Sequence, residues 1–182
     1  NNILQGSDID CSINKFGKKQ SHKFFKKYKE YPFQKIYISH LKRTYQSIEP
    51  FISLGIPYEK IEGLNEISWG EKQGVKDDII EYKQLINLWL NGDLNERFDN
   101  GESPLDVLRR LKIAINKIIK DDFKDVLICT HGRALRIMLS WIINKDLTQM
   151  NKYKHSNLGL YILKYKNGAF RIIKKNERSH LV

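Results

Sequence analysis

The sequence predicts an α/β protein of three layers, α/β/α, around a mostly parallel central sheet, with a β-hairpin at its C-terminal end. Three observations carry this. Asp125-Val126-Leu127-Ile128-Cys129-Thr130 is an apolar, β-branched run of strand length; it is followed within two residues by a helical-period pattern through Ile137, Met138, Trp141 and Ile142. Short strand-like runs alternate with helical patterns along the chain, as crossover connections of a parallel sheet require. Near the C-terminus two strand patterns flank Lys166-Asn167-Gly168, a hairpin turn signal.

In chain order, residues 1–14 have little periodicity and read as loop. Gly17 to Tyr31 places Phe24, Phe25 and Tyr28 at helical spacing among six lysines, Lys18, Lys19, Lys23, Lys26, Lys27 and Lys29, and predicts a basic amphipathic helix. Pro32 ends it, and Phe33 to Ser39 reads as a strand with Ile36 and Ile38 on one face. A helix follows from Leu41 to about Gly55, kinked at Pro50. Tyr58 to Glu62 is a second strand, and Gln84 to Leu90 a short helix within an otherwise irregular stretch from Gly74 to Asn100. Ser103-Pro104-Leu105-Asp106 is a helix start, with Ser103 as N-cap, Pro104 in the first helical position and Asp106 in the third. That helix runs to about Lys120, and the strands Leu158–Tyr165 and Ala169–Lys174 make the hairpin. The tail from Asn176 has no regular pattern.

The 182 residues, 41% hydrophobic and 29% charged, supply one sizeable core, so a single domain over 1–182 is expected. A formal net charge of +11 favours anionic partners: phosphorylated metabolites, nucleic acid or acidic membrane surfaces. Lysine-rich helix faces are ordinarily just solvated, and neither a nucleic-acid nor a membrane partner is expected. Cys11 and Cys129 are too few and too far apart for a disulfide framework or a zinc site. No apolar run approaches the roughly 20 residues that span a bilayer, and the polar amino end lacks a signal-peptide pattern. A cytoplasmic protein is the resulting expectation; oligomeric state is silent.

Three polar side chains fall just past strands. His131 lies where the carboxyl end of a strand meets a helix N-terminus, the place where α/β sheets bind anions. Arg43, one turn into the helix after the first strand, can offer its planar fork to a phosphate. Glu66, between Leu64 and Ile67, is expected to be partly buried, which raises a carboxyl pKa toward general-acid range. Each has an ordinary alternative: a helix-capping histidine, a surface ion pair, a loop carboxylate bonding nearby amides. Together they make the parts of a phosphate-handling site.

With these residues in view the sequence resembles the histidine phosphatase superfamily, the phosphoglycerate mutase-like proteins. The resemblance rests on Leu4-Gln5-Gly6 with Asp8 and Asp10, Ser39-His40-Leu41-Lys42-Arg43-Thr44, Leu64-Asn65-Glu66-Ile67 with Trp69-Gly70, Gly101-Glu102-Ser103, Thr130-His131-Gly132 with Arg136, and Asn176 with His180-Leu181. It implies that Glu66 and His131 are catalytic, Glu66 as proton donor and His131 at the transferring phosphate. Arg43, Gln5, Gly6 and Gly132 would bind substrate, with no metal and no cofactor. The substrate would be a small phosphorylated metabolite, hydrolysed through a phosphohistidine. Phosphoglycerate mutase-type transfer, or phosphate binding without catalysis, are the alternatives. The family's first motif, Arg-His-Gly, which supplies the nucleophilic histidine, does not occur; His22, His40, His155 and His180 lack its context. The resemblance therefore implies a strand and an Arg-His-Gly turn upstream of Asn1, beside the strand ending at Thr130. The leaving-group pocket would draw on the stretch from about Gly74 to Asn100, lined by Trp69, Tyr82 or Trp89, with core packing the favoured reading for Trp89.

Overall fold

The computed structural model describes residues 3–75 and 79–182. Its secondary structure comprises α1 (Lys15–Tyr28), β1 (Lys35–Ile38), α2 (Lys42–Ile52), β2 (Tyr58–Lys60), α3 (Ile79–Asn91), α4 (Pro104–Lys120), β3 (Val126–Cys129), α5 (Gly132–Leu139), β4 (Leu160–Lys166) and β5 (Ala169–Glu177). Short 3₁₀ turns lie at Glu62–Leu64, Gly70–Lys72 and Leu147–Lys152, and a π-helical turn at Ser140–Asn144 prolongs α5.

β1 is the central strand of a parallel sheet ordered β2-β1-β3, with Ile36 opposite both Tyr58 and Leu127. Because side chains alternate along a strand, the two faces of this sheet feed two cores. Ile36, Ile38 and Leu127 pack with Phe24 of α1 and with Ile48 and Phe51 of α2. Tyr37 faces the other way, into a larger core with Leu111 and Ile115 of α4 and Ile137 and Met138 of α5. This is the three-layer α/β arrangement the sequence predicts. The antiparallel β4-β5 hairpin forms a sheet of its own. Tyr161, Leu163, Phe170 and Ile172 of the hairpin lean on the larger core, Leu160 on the smaller. Asn167 and Gly168, at φ 51° and 78°, supply the left-handed pair a two-residue turn needs.

Local signals set several boundaries. Ser103 caps α4: its hydroxyl accepts the Asp106 N–H while the Asp106 carboxylate accepts the Ser103 N–H, a reciprocal capping box. Burial works to raise the Asp106 carboxyl, but hydrogen bonds from Ser103, Arg109 and Arg97 outweigh it and hold the group at about 2. Pro50 lies inside α2, which ends at Ile52, short of Gly55.

Other boundaries differ from the sequence reading. The stretch from Gly74 to Asn100 is less irregular than expected, because α3 starts five residues before the expected Gln84, while 92–100 remains turn and loop; residues 76–78 lie outside the described residues. Leu85, Ile86 and Trp89 of α3 are buried in the larger core, which holds the helix through packing that flanking polar residues conceal in the sequence. Asn176 and Glu177 belong to β5 rather than to an unpatterned tail. Among the described residues, no helix is long and apolar enough to cross a membrane.

Candidate active site

Three connections converge past the carboxyl ends of β1 and β3. The turn after β1 runs into α2, the turn after β3 into α5, and the loop after the Glu62–Leu64 turn passes between them. Thr130, at the end of β3, donates its hydroxyl to the Leu64 carbonyl at 2.8 Å and so ties that loop to the sheet.

His131 occupies the N-cap position of α5, yet its side chain makes no capping bond. Arg43 Nε donates to His131 Nδ1 at 3.1 Å, and His131 Nε2 lies 2.7 Å from Ser39 Oγ. A guanidinium cannot accept, so Nδ1 is the acceptor and the proton of the neutral ring sits on Nε2, donated to Ser39. Ser39 in turn meets the Thr44 hydroxyl at 3.0 Å, which lies 2.8 Å from the Leu41 carbonyl. Burial, then the positive charges of Arg43 and Arg110, push the His131 pKa down to about 3, so the imidazole is neutral at physiological pH.

The capping role falls to Glu66, which is 8% exposed. Glu66 Oε1 accepts the N–H groups of Ile67 at 3.0 Å and Ala134 at 2.9 Å, while Oε2 accepts that of Arg133 at 3.1 Å. Two of these donors belong to the first turn of α5, where orphan amides and the helix dipole favour an anion. With two bonds on Oε1 and one on Oε2, the acceptor site left open among the described residues is on Oε2.

Arg43 makes no surface ion pair. Its Nη1 donates to the Ile9 carbonyl at 2.6 Å and Nη2 to the Gly6 carbonyl at 3.2 Å. Of five guanidinium N–H groups, three are thus engaged among the described residues, leaving one on each terminal nitrogen. Burial works against the Arg43 charge, and the nearby carboxylates of Glu66 and Asp10 partly offset it.

The structure therefore brings Arg43, Glu66 and His131 together. Gly6 is buried beneath Arg43, and a Cβ there would overlap the Gln73 side chain and stand 2.7 Å from the Ile67 carbonyl oxygen. Gly132 opens α5 with the His155 ring against its Cα, in the space a Cβ would occupy. Gln5 is exposed on the loop beside Gly6. Asp10 accepts the Lys42 N–H at 2.6 Å at the start of α2. His180 lies away from this cluster: it packs edge-on to Phe24 and Tyr28, with Nε2 2.9 Å from the Leu158 carbonyl.

Two arginines at the site, Arg110 and Arg133, carry no signal that periodicity or strand-end position reveals. Arg110, on α4, donates from Nη1 to the Gly63 and Asn65 carbonyls at 3.0 and 2.8 Å and from Nη2 to the Glu66 carbonyl at 3.1 Å. It also grips Glu102 with two bonds, at 2.8 and 2.9 Å, and Glu102 accepts the Ser68 N–H. The backbone on both sides of Glu66 is thus clamped by one guanidinium. Arg133, 6% exposed, reaches Tyr82 Oη at 2.5 Å and Asn151 Oδ1 at 3.2 Å, and lies over the ring of Trp89. Trp89 is core, stacked on Trp69 at 5.9 Å, while Tyr82 meets Arg133 through its hydroxyl.

The depressed His131 pKa makes stability pH-dependent. The unfolded chain takes up a proton near the ordinary histidine value of 6.5 and the folded chain only near 3, so acidification through that window favours unfolding. Below the window the accumulated loss reaches about 5 kcal/mol. Chemical denaturation of wild type and His131→Asn at a series of pH values is expected to show the wild type losing more stability between pH 6.5 and pH 3. Parallel curves would contradict this.

Comparison with known proteins agrees with this architecture. A sequence profile of the histidine phosphatase superfamily (branch 1) matches residues 1–178. The chain is 28% identical over 153 residues to the 6-phosphofructo-2-kinase/fructose-2,6-bisphosphatase of Aquarana catesbeiana, covering 82% of this chain and 32% of that protein. It is 30% identical over 118 residues to the human 6-phosphofructo-2-kinase/fructose-2,6-bisphosphatase 1, covering 64% and 24%. The chain thus spans about a third or less of the length of these relatives. Among solved structures, Bacillus stearothermophilus YhfR superposes with a TM-score of 0.86 at 21% identity, over 100% of this chain and 92% of that one. A mycobacterial glucosyl-3-phosphoglycerate phosphatase in complex with inorganic phosphate gives 0.84 at 18%, over 98% and 93%. The α-ribazole phosphatase of Shigella flexneri gives 0.82 at 18%, over 97% and 89%. With its whole length but the last four residues matched by the family profile, the chain belongs to the histidine phosphatase superfamily, branch 1.

Proposed function

We propose that the protein is a phosphomonoesterase that hydrolyses a small phosphorylated metabolite through a phosphohistidine, the nucleophilic histidine being supplied from upstream of Asn1. The observation that carries the reading is the meeting of Arg43, Glu66 and His131 around one point at the sheet edge. In the first half-reaction a histidine nitrogen bonds to phosphorus as the ester P–O bond breaks, and Glu66 gives its proton to the departing oxygen. In the second, Glu66 takes a proton from water, whose oxygen displaces the histidine and releases inorganic phosphate. The two remaining Arg43 N–H groups, and the His131 Nε2–H released from Ser39, donate to the equatorial phosphoryl oxygens. His131 neutral at working pH suits this: it is a hydrogen-bond donor, not an acid or base. The strand bearing the nucleophile would add to the edge of β3 opposite β1, as β3 pairs with β1 alone among the described strands.

The test is acid–alkali discrimination of a trapped phosphoprotein. Full-length polypeptide quenched during turnover of a radiolabelled phosphomonoester is expected to carry acid-labile, alkali-stable label and to release free phosphate. Unlabelled protein that still releases phosphate would overturn the covalent route. Conversion of 3-phosphoglycerate to 2-phosphoglycerate without net phosphate release would replace hydrolysis by mutase-type transfer.

A further inference from the structure

Away from the site, the net charge of the chain is concentrated on one helix. Seven of the 32 lysines and arginines lie between Lys15 and Lys29, with no acidic residue from Cys11 to Lys29, so most of the +11 excess sits on α1 and its C-cap. Lys15, Lys19, His22 and Lys26 fall at positions i, i+4, i+7 and i+11, a single ridge along the helix, and Lys18 and Lys23 flank it; all six are exposed. Over the 14 residues of α1 the ridge is about 21 Å long.

A merely solvated helix face intersperses carboxylates with its lysines. This face does not. Lysines elsewhere are ion-paired, Lys35 and Lys117 with Glu59 and Lys72 with Glu81. Among the described residues none of Lys15, Lys18, Lys19, Lys23, Lys26 and Lys27 has a carboxylate partner: Lys23 donates to the Leu181 carbonyl at 3.2 Å, and the ion pair of this stretch, Lys29 with Glu30, lies past the helix end. The opposite side of α1 is already committed, with Phe24 in the smaller core beside Ile48 and Phe51, and His180 edge-on to Phe24 and Tyr28. Whatever α1 meets, it meets with its cations and with Phe16, a ring 66% exposed in the first turn.

Repulsion among these lysines is relieved by an extended anionic surface. The face holds ammonium groups only, with no guanidinium fork for bidentate recognition of phosphates or base edges, and one exposed ring rather than a row on which bases could stack. Diffuse positive charge with a single apolar anchor fits a plane of anionic headgroups. We propose that α1 is a docking face for an anionic bilayer, with the lysine ridge against the headgroups and Phe16 entering the interface. The helix lies on the membrane without crossing it, because its apolar side stays in the core.

Sedimentation of the full-length polypeptide with sucrose-loaded vesicles tests this, comparing pure phosphatidylcholine with two parts phosphatidylcholine to one of phosphatidylglycerol. At physiological salt the anionic vesicles are expected to bind at least about tenfold more tightly, and in about 1 M salt, where the screening length is about 3 Å, the two are expected to converge. Combined Lys15→Gln, Lys19→Gln and Lys26→Gln is expected to remove most of the preference. Phe16→Ser, which leaves the charge intact, is expected to weaken binding about threefold. Combined Lys164→Gln, Lys166→Gln and Lys175→Gln, which lowers the net charge equally at exposed positions of the hairpin, is expected to retain the preference. Equal binding to both vesicles, or as large a loss from the hairpin variant as from the α1 variant, would overturn the proposal. So would a single-stranded RNA oligonucleotide that binds about tenfold tighter than the anionic vesicles, which would assign the face to nucleic acid. Binding is read without turnover, so its outcome is independent of the phosphatase reading.

Discussion

Replacing His131 by alanine is expected to lower kcat by about 10²–10³, with KM changed far less, in steady-state assays of phosphate release by the full-length polypeptide. The asymmetry follows from where the imidazole donates. Its Nε2 proton is held at 2.7 Å from Ser39 Oγ, inside a relay that begins at Arg43 and ends at the Leu41 carbonyl. In place of Ser39 the phosphoryl oxygens accept this proton as charge accumulates on them, so its contribution is concentrated in the transition state. Removing one such donor costs about 2.7–4 kcal/mol there. The variant also leaves Arg43 Nε and the Ser39 hydroxyl without their shared partner, which loosens the arginine. Equal kcat in variant and parent would remove His131 from the chemistry.

The second large effect is expected at Arg110, which touches no reacting atom. Arg110→Ala deletes five hydrogen bonds at once: three to the carbonyls of Gly63, Asn65 and Glu66 and two to Glu102. The pair is about a fifth to a quarter exposed at its side chains, 20% and 25%, so the penalty for an orphaned carboxylate is smaller than for a fully buried one. A loss of about 3 kcal/mol is expected, or roughly 6–12 °C in Tm for a domain of this size. The same change frees the loop that aims Glu66, so kcat falls as well. Arg110→Lys should recover part of the stability and less of the rate, because an ammonium cannot hold Glu102 and three carbonyls in one plane. A Tm within a degree of wild type for Arg110→Ala would contradict the clamp.

What the sequence makes legible is what is encoded locally. Ser103-Pro104 with Asp106 announces the start of α4 because all partners lie within one turn, and Asn167-Gly168 announces the hairpin because two left-handed residues must sit there. Arg43, Glu66 and His131 are legible because each lies within five residues of the end of a strand or turn that leads to the sheet edge. The rest depends on contacts distant in sequence. Nothing near Arg110 signals that its partners include the carbonyls 44, 45 and 47 residues away. Arg133 gains its place only when Tyr82, Trp89 and Asn151, distant in sequence, are brought around it. His155, dismissed for want of a motif, gains its place only because Gly132 has no side chain to exclude it. Helix α3 likewise packs on a segment distant in sequence, with Trp89 stacked on Trp69.

The expected burial of Glu66 holds, and the structure adds what sequence could not supply. Its carboxylate serves the first turn of α5 and the site together, since the amides it accepts belong to the residues just after His131. The structural role and the proposed chemical one are therefore joined in one side chain. A variant such as Glu66→Gln tests both at once and separates them poorly.

The most direct test is where one tetrahedral anion goes. Crystals of the full-length polypeptide soaked in inorganic phosphate are expected to show phosphate with oxygens in hydrogen-bond range of Arg43 Nη atoms and His131 Nε2, and with Glu66 Oε2 facing it across the site. Phosphate bound elsewhere, out of reach of the Arg43 Nη atoms and with His131 Nε2 still on Ser39, would contradict the account.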